Sequence, residues 1–338
     1  MIDPAPTPLP AATIVLLRPG RDGAEVLLIQ RPATMSFGAG LHVFPGGKVD
    51  PDDSLASPEA PPEEAVAAAR RLAGNLSTGE AVAVHRAALR ELREEAGVAL
   101  AGIDRLAPIA HWTTPSFMPR RFSTWFFVAD LPSGVVPVFA ADEVAAHRWV
   151  TPSLALGQVA AGEIQMWVPT TSVLQRLVET GATTAGEVAQ RITLGRVLPP
   201  RIVADGPELV RFAFGAVGGL PGRTGETDLI GRRELVLVDP GDPSDAALEL
   251  VGATVKRRRG RITAIVLTRA DPDHAAAAEA LAIPLEVPIL VAPEAGRFLP
   301  YPTVEVADGD RLPADVDARV RLGPPSSGRL EVVVSARE

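Results

Sequence analysis

The sequence predicts an α+β domain followed by a shorter α/β domain. Three observations carry that reading. Two aliphatic runs joined by turn residues stand ahead of an acid-rich helix, a proline pair lies near residue 200, and beyond it strand-like and helix-like runs alternate. At 338 residues the chain is long enough for two domains of roughly 150 residues each. The expected domains are 1–193 and 194–338.

Ala12-Thr-Ile-Val-Leu-Leu17 and Glu25-Val-Leu-Leu-Ile-Gln30 are short β-branched and aliphatic runs, and Arg18 to Ala24 between them is rich in turn formers, so the pair reads as a hairpin. His42-Val-Phe-Pro-Gly-Gly-Lys-Val-Asp50 reads as a strand entering a tight turn at Pro45-Gly46-Gly47, where backbone can approach a ligand closely. Residues 51 to about 78 are rich in Pro, Ala and acid, with a helix-like stretch from Glu63 to Ala73. Phe122 to Val128 is strand-like and Thr171 to Ile192 is helix-like.

Between these lies Arg90-Glu-Leu-Arg-Glu-Glu-Ala-Gly-Val98. Glu91, Glu94 and Glu95 stand at i, i+3 and i+4, so a helix projects all three from nearly one face. Like charges so placed repel. Such a face is either solvated or holds a hard divalent cation that prefers carboxylate and water oxygens. Arg90, one turn before Glu94, is placed to hold that carboxylate, and Gly97 supplies the left-handed position that ends helices.

Arg90 to Val98 match the second half of the signature Gly-x5-Glu-x7-Arg-Glu-U-x-Glu-Glu-x-Gly-U, with U aliphatic, and the chain in this region resembles the Nudix hydrolases. The first half departs from the signature. Gly47 and Arg90 stand 43 positions apart where the signature has 14, so about 29 residues are inserted inside the box. Val82 stands where the signature places its first Glu, with Glu80 two positions away. The interrupted box resembles the branch containing the peroxisomal coenzyme A diphosphatases. That likeness rests on Gln30 to Phe37, Phe44-Pro-Gly-Gly47 with Asp50, Asp52 and Asp53, His111 to Pro115, Pro119-Arg-Arg-Phe122, Phe126 to Ala129, Asp142-Glu-Val144, Trp149 to Pro152 and Pro169-Thr170. It spans roughly residues 10–190.

The resemblance implies a mixed sheet between helices and hydrolysis of a diphosphate with Mg²⁺ or Mn²⁺. Glu91, Glu94 and Glu95 are the implied metal ligands, with a backbone carbonyl from Gly46 or Gly47, and Arg90 the residue that orients the glutamates. The general base is either a box glutamate or an acid of the Asp142-Glu143 pair. Arg120 and Arg121, at the entrance to a strand, are candidates for phosphate because a guanidinium fork suits that anion; ordinary surface charge is the alternative. Gly46 joins them as a candidate substrate contact. Trp112, Trp125, Trp149 and Trp167 are expected mostly in the core, and His42, His85, His111 and His147 form no metal-binding spacing.

Composition narrows the function classes. Net charge is −8 and no basic stripe appears, which argues against a duplex nucleic-acid binder while leaving a small nucleoside diphosphate derivative open as substrate. The absence of cysteine excludes disulfides, thiolate zinc sites and cysteine nucleophiles. Met1 to Pro10 lacks a basic region followed by an apolar run, and no segment reaches ~18 uninterrupted apolar residues. A cytoplasmic protein without membrane contact is therefore expected.

Val197-Leu-Pro-Pro-Arg201 reads as a linker. Beyond it, Glu234 to Gly241 is a buried strand ending in an acidic turn. Ser244 then caps a helix to about Val251, and Ile262 to Leu267 is a second strand leading into Thr268-Arg-Ala-Asp-Pro-Asp-His274. An alanine-rich helix and the strand Pro288 to Ala292 complete an α/β order. Val238-Asp-Pro-Gly241 together with Thr268, Asp273 and His274 resembles the metallo-β-lactamase fold, whose second strand ends in Thr-His-x-His-x-Asp-His. Arg269 and Asp271 replace its two leading histidines, and Leu322 to Gly328 lacks the histidine of the usual Thr-Pro-Gly-His turn. Zinc is not expected here. Asp239, Asp271, Asp273 and His274 form a degenerate second site, with one oxygen-preferring ion as an open alternative. Packing on the first domain, shaping its entrance or joining a homodimer are the roles left to this half.

Two readings follow. One is a divalent-metal-dependent Nudix hydrolase acting on a nucleoside diphosphate-linked substrate such as coenzyme A or acyl-CoA. The other is a catalytically idle two-domain binding or scaffold protein; hydrolysis by the metallo-β-lactamase-like half is a third reading that its missing histidines oppose.

Overall fold

The computed structural model describes residues 6–34, 38–54, 62–114, 118–140, 143–324 and 327–335. The chain divides into two compact units, residues 1–196 and 197–338.

The first unit is built on a mixed seven-stranded sheet. Strands β1 (Leu9–Gly20) and β2 (Gly23–Gln30) form the hairpin, with a turn of only Arg21 and Asp22. β3 (His42–Val43) pairs with β2, and β4 (Gly46–Lys48) crosses to β1. Helix α1 (Pro62–Arg71) precedes α2 (Thr78–Ala96), followed by β5 (Ala107–Thr113), β6 (Phe122–Asp130) and β7 (Ala146–Val150). β1 and β6 run parallel at the centre, while β5 on β6 and β7 on β2 are antiparallel. Helices α3 (Pro152–Ala160), α4 (Val168–Thr180) and α5 (Ala185–Arg191) close the unit. The helix read over Thr171 to Ile192 is therefore two helices. Gly181 takes the left-handed cap conformation that ends α4, and Thr184 caps the next.

Strand alternation buries both faces of this sheet. Ile14, Leu16, Leu27, Ile29, Trp125 and Phe127 share a core with Val84, Ala88 and Leu92 of α2. The alternate residues Val15, Leu17, Phe126 and Val128 are buried as well, as are Leu174, Leu177 and Val188 of the closing helices. Truncating Leu92 to Ala would cost about 2 to 5 kcal/mol. Val82, at the signature's first glutamate position, is a fully buried member of the α2 core, and Glu80 is spent on the capping box with Ser77. Ala68 and Leu72, from the inserted stretch, pack in the same core. Residues 55–61 of the insert, and Met35 to Phe37, lie outside the described residues.

The second unit has a sheet ordered β14-β13-β12-β11-β10-β9-β8. Its strands are β8 (Arg201–Asp205), β9 (Leu209–Phe214), β10 (Gly225–Ile230), β11 (Glu234–Val238), β12 (Arg261–Leu267), β13 (Ile289–Val291) and β14 (Val304–Glu305). Strands β8 to β11 are antiparallel neighbours, and β11 to β14 run parallel through crossovers. The crossovers hold α6 (Asp245–Arg257), capped by Ser244, then α7 (Pro272–Ala275) and α8 (Ala278–Leu285). A hairpin of β15 (Ala318–Leu322) and β16 (Leu330–Val334) follows. The expected strands do not include β8 to β10; β8 is nearly all exposed and shows no apolar alternation, whereas β9 alternates buried and half-buried residues.

Candidate active site

Helix α2 delivers its three carboxylates at the point where β4 crosses β1. Arg90 is the hub of the cluster. Its guanidinium donates to Asp53 Oδ2 at 2.9 Å, Glu91 Oε1 at 2.8 Å, Glu94 Oε2 at 2.9 Å and the Lys48 carbonyl at 3.0 Å. Hydrogen bonding to Asp53 raises the Arg90 pKa, so the charge is fixed. Asp53 is buried, and it closes a turn with Asp50 by accepting from that residue's amide at 2.8 Å. No sequence signal pointed to Asp53 as Arg90's partner.

Glu95 is buried, and its carboxylate accepts from the Gly46 amide at 2.8 Å. Burial, aided by repulsion from Glu91 and Glu143, pushes its carboxyl up to about 8 against the opposing effects of the Gly46 amide and Arg31. Burial also pushes Glu91 up, against the Arg90 hydrogen bond, with Glu94 and Glu143 adding repulsion. A side chain at Gly47 has no room, since an added Cβ would overlap Glu91 Oε1. At Gly46 it would strike the backbone of Ala12 and Thr13 across β1. Among the described residues no three acidic or histidine side chains stand gathered as a metal site; the structure instead gathers Asp53, Glu91 and Glu94 around Arg90, with Glu95 against the Gly46 amide.

Glu143 approaches from the loop after β6. Val138 donates its amide to the Ala96 carbonyl at 2.9 Å and Ala140 to that of Glu95 at 3.3 Å, which seats this loop on the C-terminus of α2. Asp142, the other candidate base, lies outside the described residues. Arg31, just past the end of β2, faces Glu91 and Glu95 electrostatically, and its buried Nε has no hydrogen-bond partner among the described residues. Sequence reasoning missed it as a site residue, although it stands in the Gln30-Arg-Pro motif.

Arg120 and Arg121 part company. Arg120 is exposed, whereas Arg121 is buried and donates to the Thr114 carbonyl at 2.8 Å and the Pro6 carbonyl at 2.9 Å. Of the expected pair, Arg121 is committed to those carbonyls and Arg120 alone stays exposed. Trp112 and Trp125 are core residues. His85 is fully buried, His42 nearly so, His111 stacks on Trp125 and His147 on Phe139.

In the second unit, β11 is followed by Asp239, whose backbone is left-handed (φ 53°). Thr268 donates to Asp239 twice, from its amide at 2.7 Å and its hydroxyl at 2.5 Å. Asp271 caps α7, meets His274 Nδ1 at 2.6 Å and pairs with Arg269 Nε at 2.8 Å. Asp273 pairs with Arg223. The donor set lacks the imidazoles a zinc pair needs and its carboxylates are already engaged, so the residues do not fit that metal. Among the described residues, no helix is long and apolar enough to cross a membrane.

A helix carrying an arginine-braced set of carboxylates against the glycines of β4, on a mixed sheet between helices, is the arrangement that the Nudix resemblance implies. Residues 7–168 match the NUDIX domain family, and residues 229–332 match the metallo-beta-lactamase superfamily. The chain is thus a Nudix domain fused to a metallo-beta-lactamase superfamily domain. Among solved structures, a NUDIX hydrolase from Alicyclobacillus acidocaldarius is 25% identical, covering 56% of this chain and 98% of its own, at a TM-score of 0.46. A C. elegans Ap4A hydrolase is 20% identical over 51% of this chain and 96% of its own (TM-score 0.33). The NUDIX domain of Shewanella oneidensis NrtR, complexed with ADP ribose, is 16% identical over 52% of this chain and 88% of its own (TM-score 0.35). No curated protein matches.

Proposed function

We propose that the first domain hydrolyses the diphosphate of a small nucleoside diphosphate derivative, using Mg²⁺ or Mn²⁺ held by Glu91, Glu94 and Glu95. Coenzyme A or an acyl derivative is the substrate favoured by the motifs around the interrupted box. The observation that carries the reading is the Arg90 hub, which holds two of the three carboxylates in one orientation while the third lies buried against Gly46. A surface charge stripe has no reason to be braced in this way.

The bound cation would neutralise charge on the diphosphate oxygens as the bridging P–O bond breaks. Arg90 keeps the carboxylates from turning toward solvent. Arg31 and the exposed Arg120 offer guanidinium donors to phosphate oxygens. Glu143 takes the proton of the attacking water, whose oxygen bonds to phosphorus as the bridging oxygen leaves with the other phosphate. Gly46 and Gly47, in β4 and without side chains, let β1 and the Glu91 carboxylate close directly onto the strand's backbone.

A turnover screen tests this. Coenzyme A, NADH, ADP-ribose, dinucleoside polyphosphates and nucleoside triphosphates would be offered with Mg²⁺ and with Mn²⁺, and phosphorylated products counted. Two phosphorylated products from one diphosphate substrate, lost on Glu94→Gln, are expected. Turnover of none of them would favour the idle scaffold instead, and activity unchanged in Glu94→Gln would displace the site.

A further inference from the structure

The fold of the second domain implies a metal that its residues do not fit, and the structure shows what stands in that metal's place. We infer that this domain has exchanged its metal for two guanidinium groups, Arg223 and Arg269, so that the carboxylates between β11 and α7 are neutralised from within. Arg269 occupies the sequence position of an expected imidazole, and its Nε lies 2.8 Å from Asp271. Arg223, ahead of β10, reaches Asp273 from the opposite side of the cluster's sequence.

Every carboxylate of the cluster is already engaged. Asp239 is spent on both donors of Thr268, a bond pair that fixes the left-handed turn at the end of β11. Asp271 receives the Asp273 amide at 3.1 Å, His274 Nδ1 and Arg269. The two loops also approach too closely to leave a gap. An added Cβ at Gly241 would overlap the Asp273 carbonyl oxygen, and the Ala277 amide donates to the Pro240 carbonyl at 2.8 Å. Three carboxylates therefore face two guanidiniums and one imidazole, a set that needs no further cation to be tolerable in a half-buried place. Removing the arginines should leave Asp271 and Asp273 short of counter-charge without opening room for a cation.

The experiment uses the full chain carrying Glu91→Gln and Glu94→Gln, so that zinc uptake by the first domain is suppressed. Zinc content after dialysis against Zn²⁺ and the unfolding temperature with and without Zn²⁺ would be measured. This parent should retain no zinc and show no zinc-dependent shift. Adding Arg223→Met and Arg269→Met should lower the unfolding temperature with or without Zn²⁺, and further adding Asp271→Asn and Asp273→Asn should restore part of the loss, because the unpaired carboxylates are then gone. Zinc retained by the parent and lost on Asp239→Asn would overturn the inference, as would a double methionine variant unchanged in stability. Should that variant fail to fold, the zinc content of the parent decides alone.

Discussion

Asp53 and Arg90, 37 residues apart in the chain, meet at 2.9 Å through an ion pair whose acidic partner is almost wholly buried. The residue that braces the carboxylate helix is thus supplied by the stretch that interrupts the box. Substituting Asp53→Asn should lower kcat about 10- to 100-fold, the usual range for a residue that orients metal ligands. It should also destabilise the fold by about 2 kcal/mol or more, because Arg90 loses its most buried partner. Steady-state kinetics and denaturant unfolding check both, and an unchanged kcat would remove Asp53 from the site.

Glu95→Gln separates stability from function. Glu95 is buried and repelled by two neighbouring carboxylates, so a neutral amide, which still accepts from Gly46, relieves that cost in the metal-free protein. The variant should unfold at a higher temperature than the wild type in EDTA, yet lose the rise that Mg²⁺ or Mn²⁺ produces and at least about a hundredfold in turnover. Differential scanning fluorimetry with and without metal, paired with product release, reads this.

Gly47→Ala is expected to be inactive but folded. The added methyl displaces the Glu91 carboxylate, while the β4 backbone pairing with Ala12 stays. Turnover should fall by at least about tenfold with the far-UV spectrum unchanged, since small misplacements at a reacting centre cost this much or more. Wild-type activity would show that Glu91 is free to move without consequence.

His85 makes stability depend on acid. Its ring is fully buried, Nδ1 lies 2.6 Å from the Ala81 carbonyl, and burial lowers its pKa from 6.5 to about 4. The unfolded chain therefore binds a proton as pH falls below 6.5 while the folded protein does not until near 4, and stability is lost across that window. At pH 7 the group contributes nothing. The loss between pH 7 and pH 4 should be smaller in His85→Leu by about 3 kcal/mol at most. Equal acid sensitivity in the two proteins would mean that His85 titrates normally.

The carboxylate face was legible because helical spacing alone aligns Glu91, Glu94 and Glu95, and the left-handed Gly97 duly ends the helix. Its partners were not. Asp53 reaches Arg90 across an insertion that no periodicity spans, and Arg31 reaches Glu95 from the end of another strand. Arg120 and Arg121 are identical as letters, and only the fold turns one outward and the other onto Thr114 and Pro6. In the second unit the strand leading into Asp239 was readable from its aliphatic run, whereas β8, with its exposed pattern, was not. The arginines at positions 223 and 269 acquire meaning only when Asp273 and Asp271 are seen beside them.

The amides of Val138 and Ala140 dock their loop onto the last carbonyls of α2 without using a side chain. Phe139, between the two amides, packs against the core and stacks on His147, so the loop is held by backbone and side chain together. A change of side chain on the solvent side of this loop therefore leaves the position of Glu143 in the chain's path unaltered.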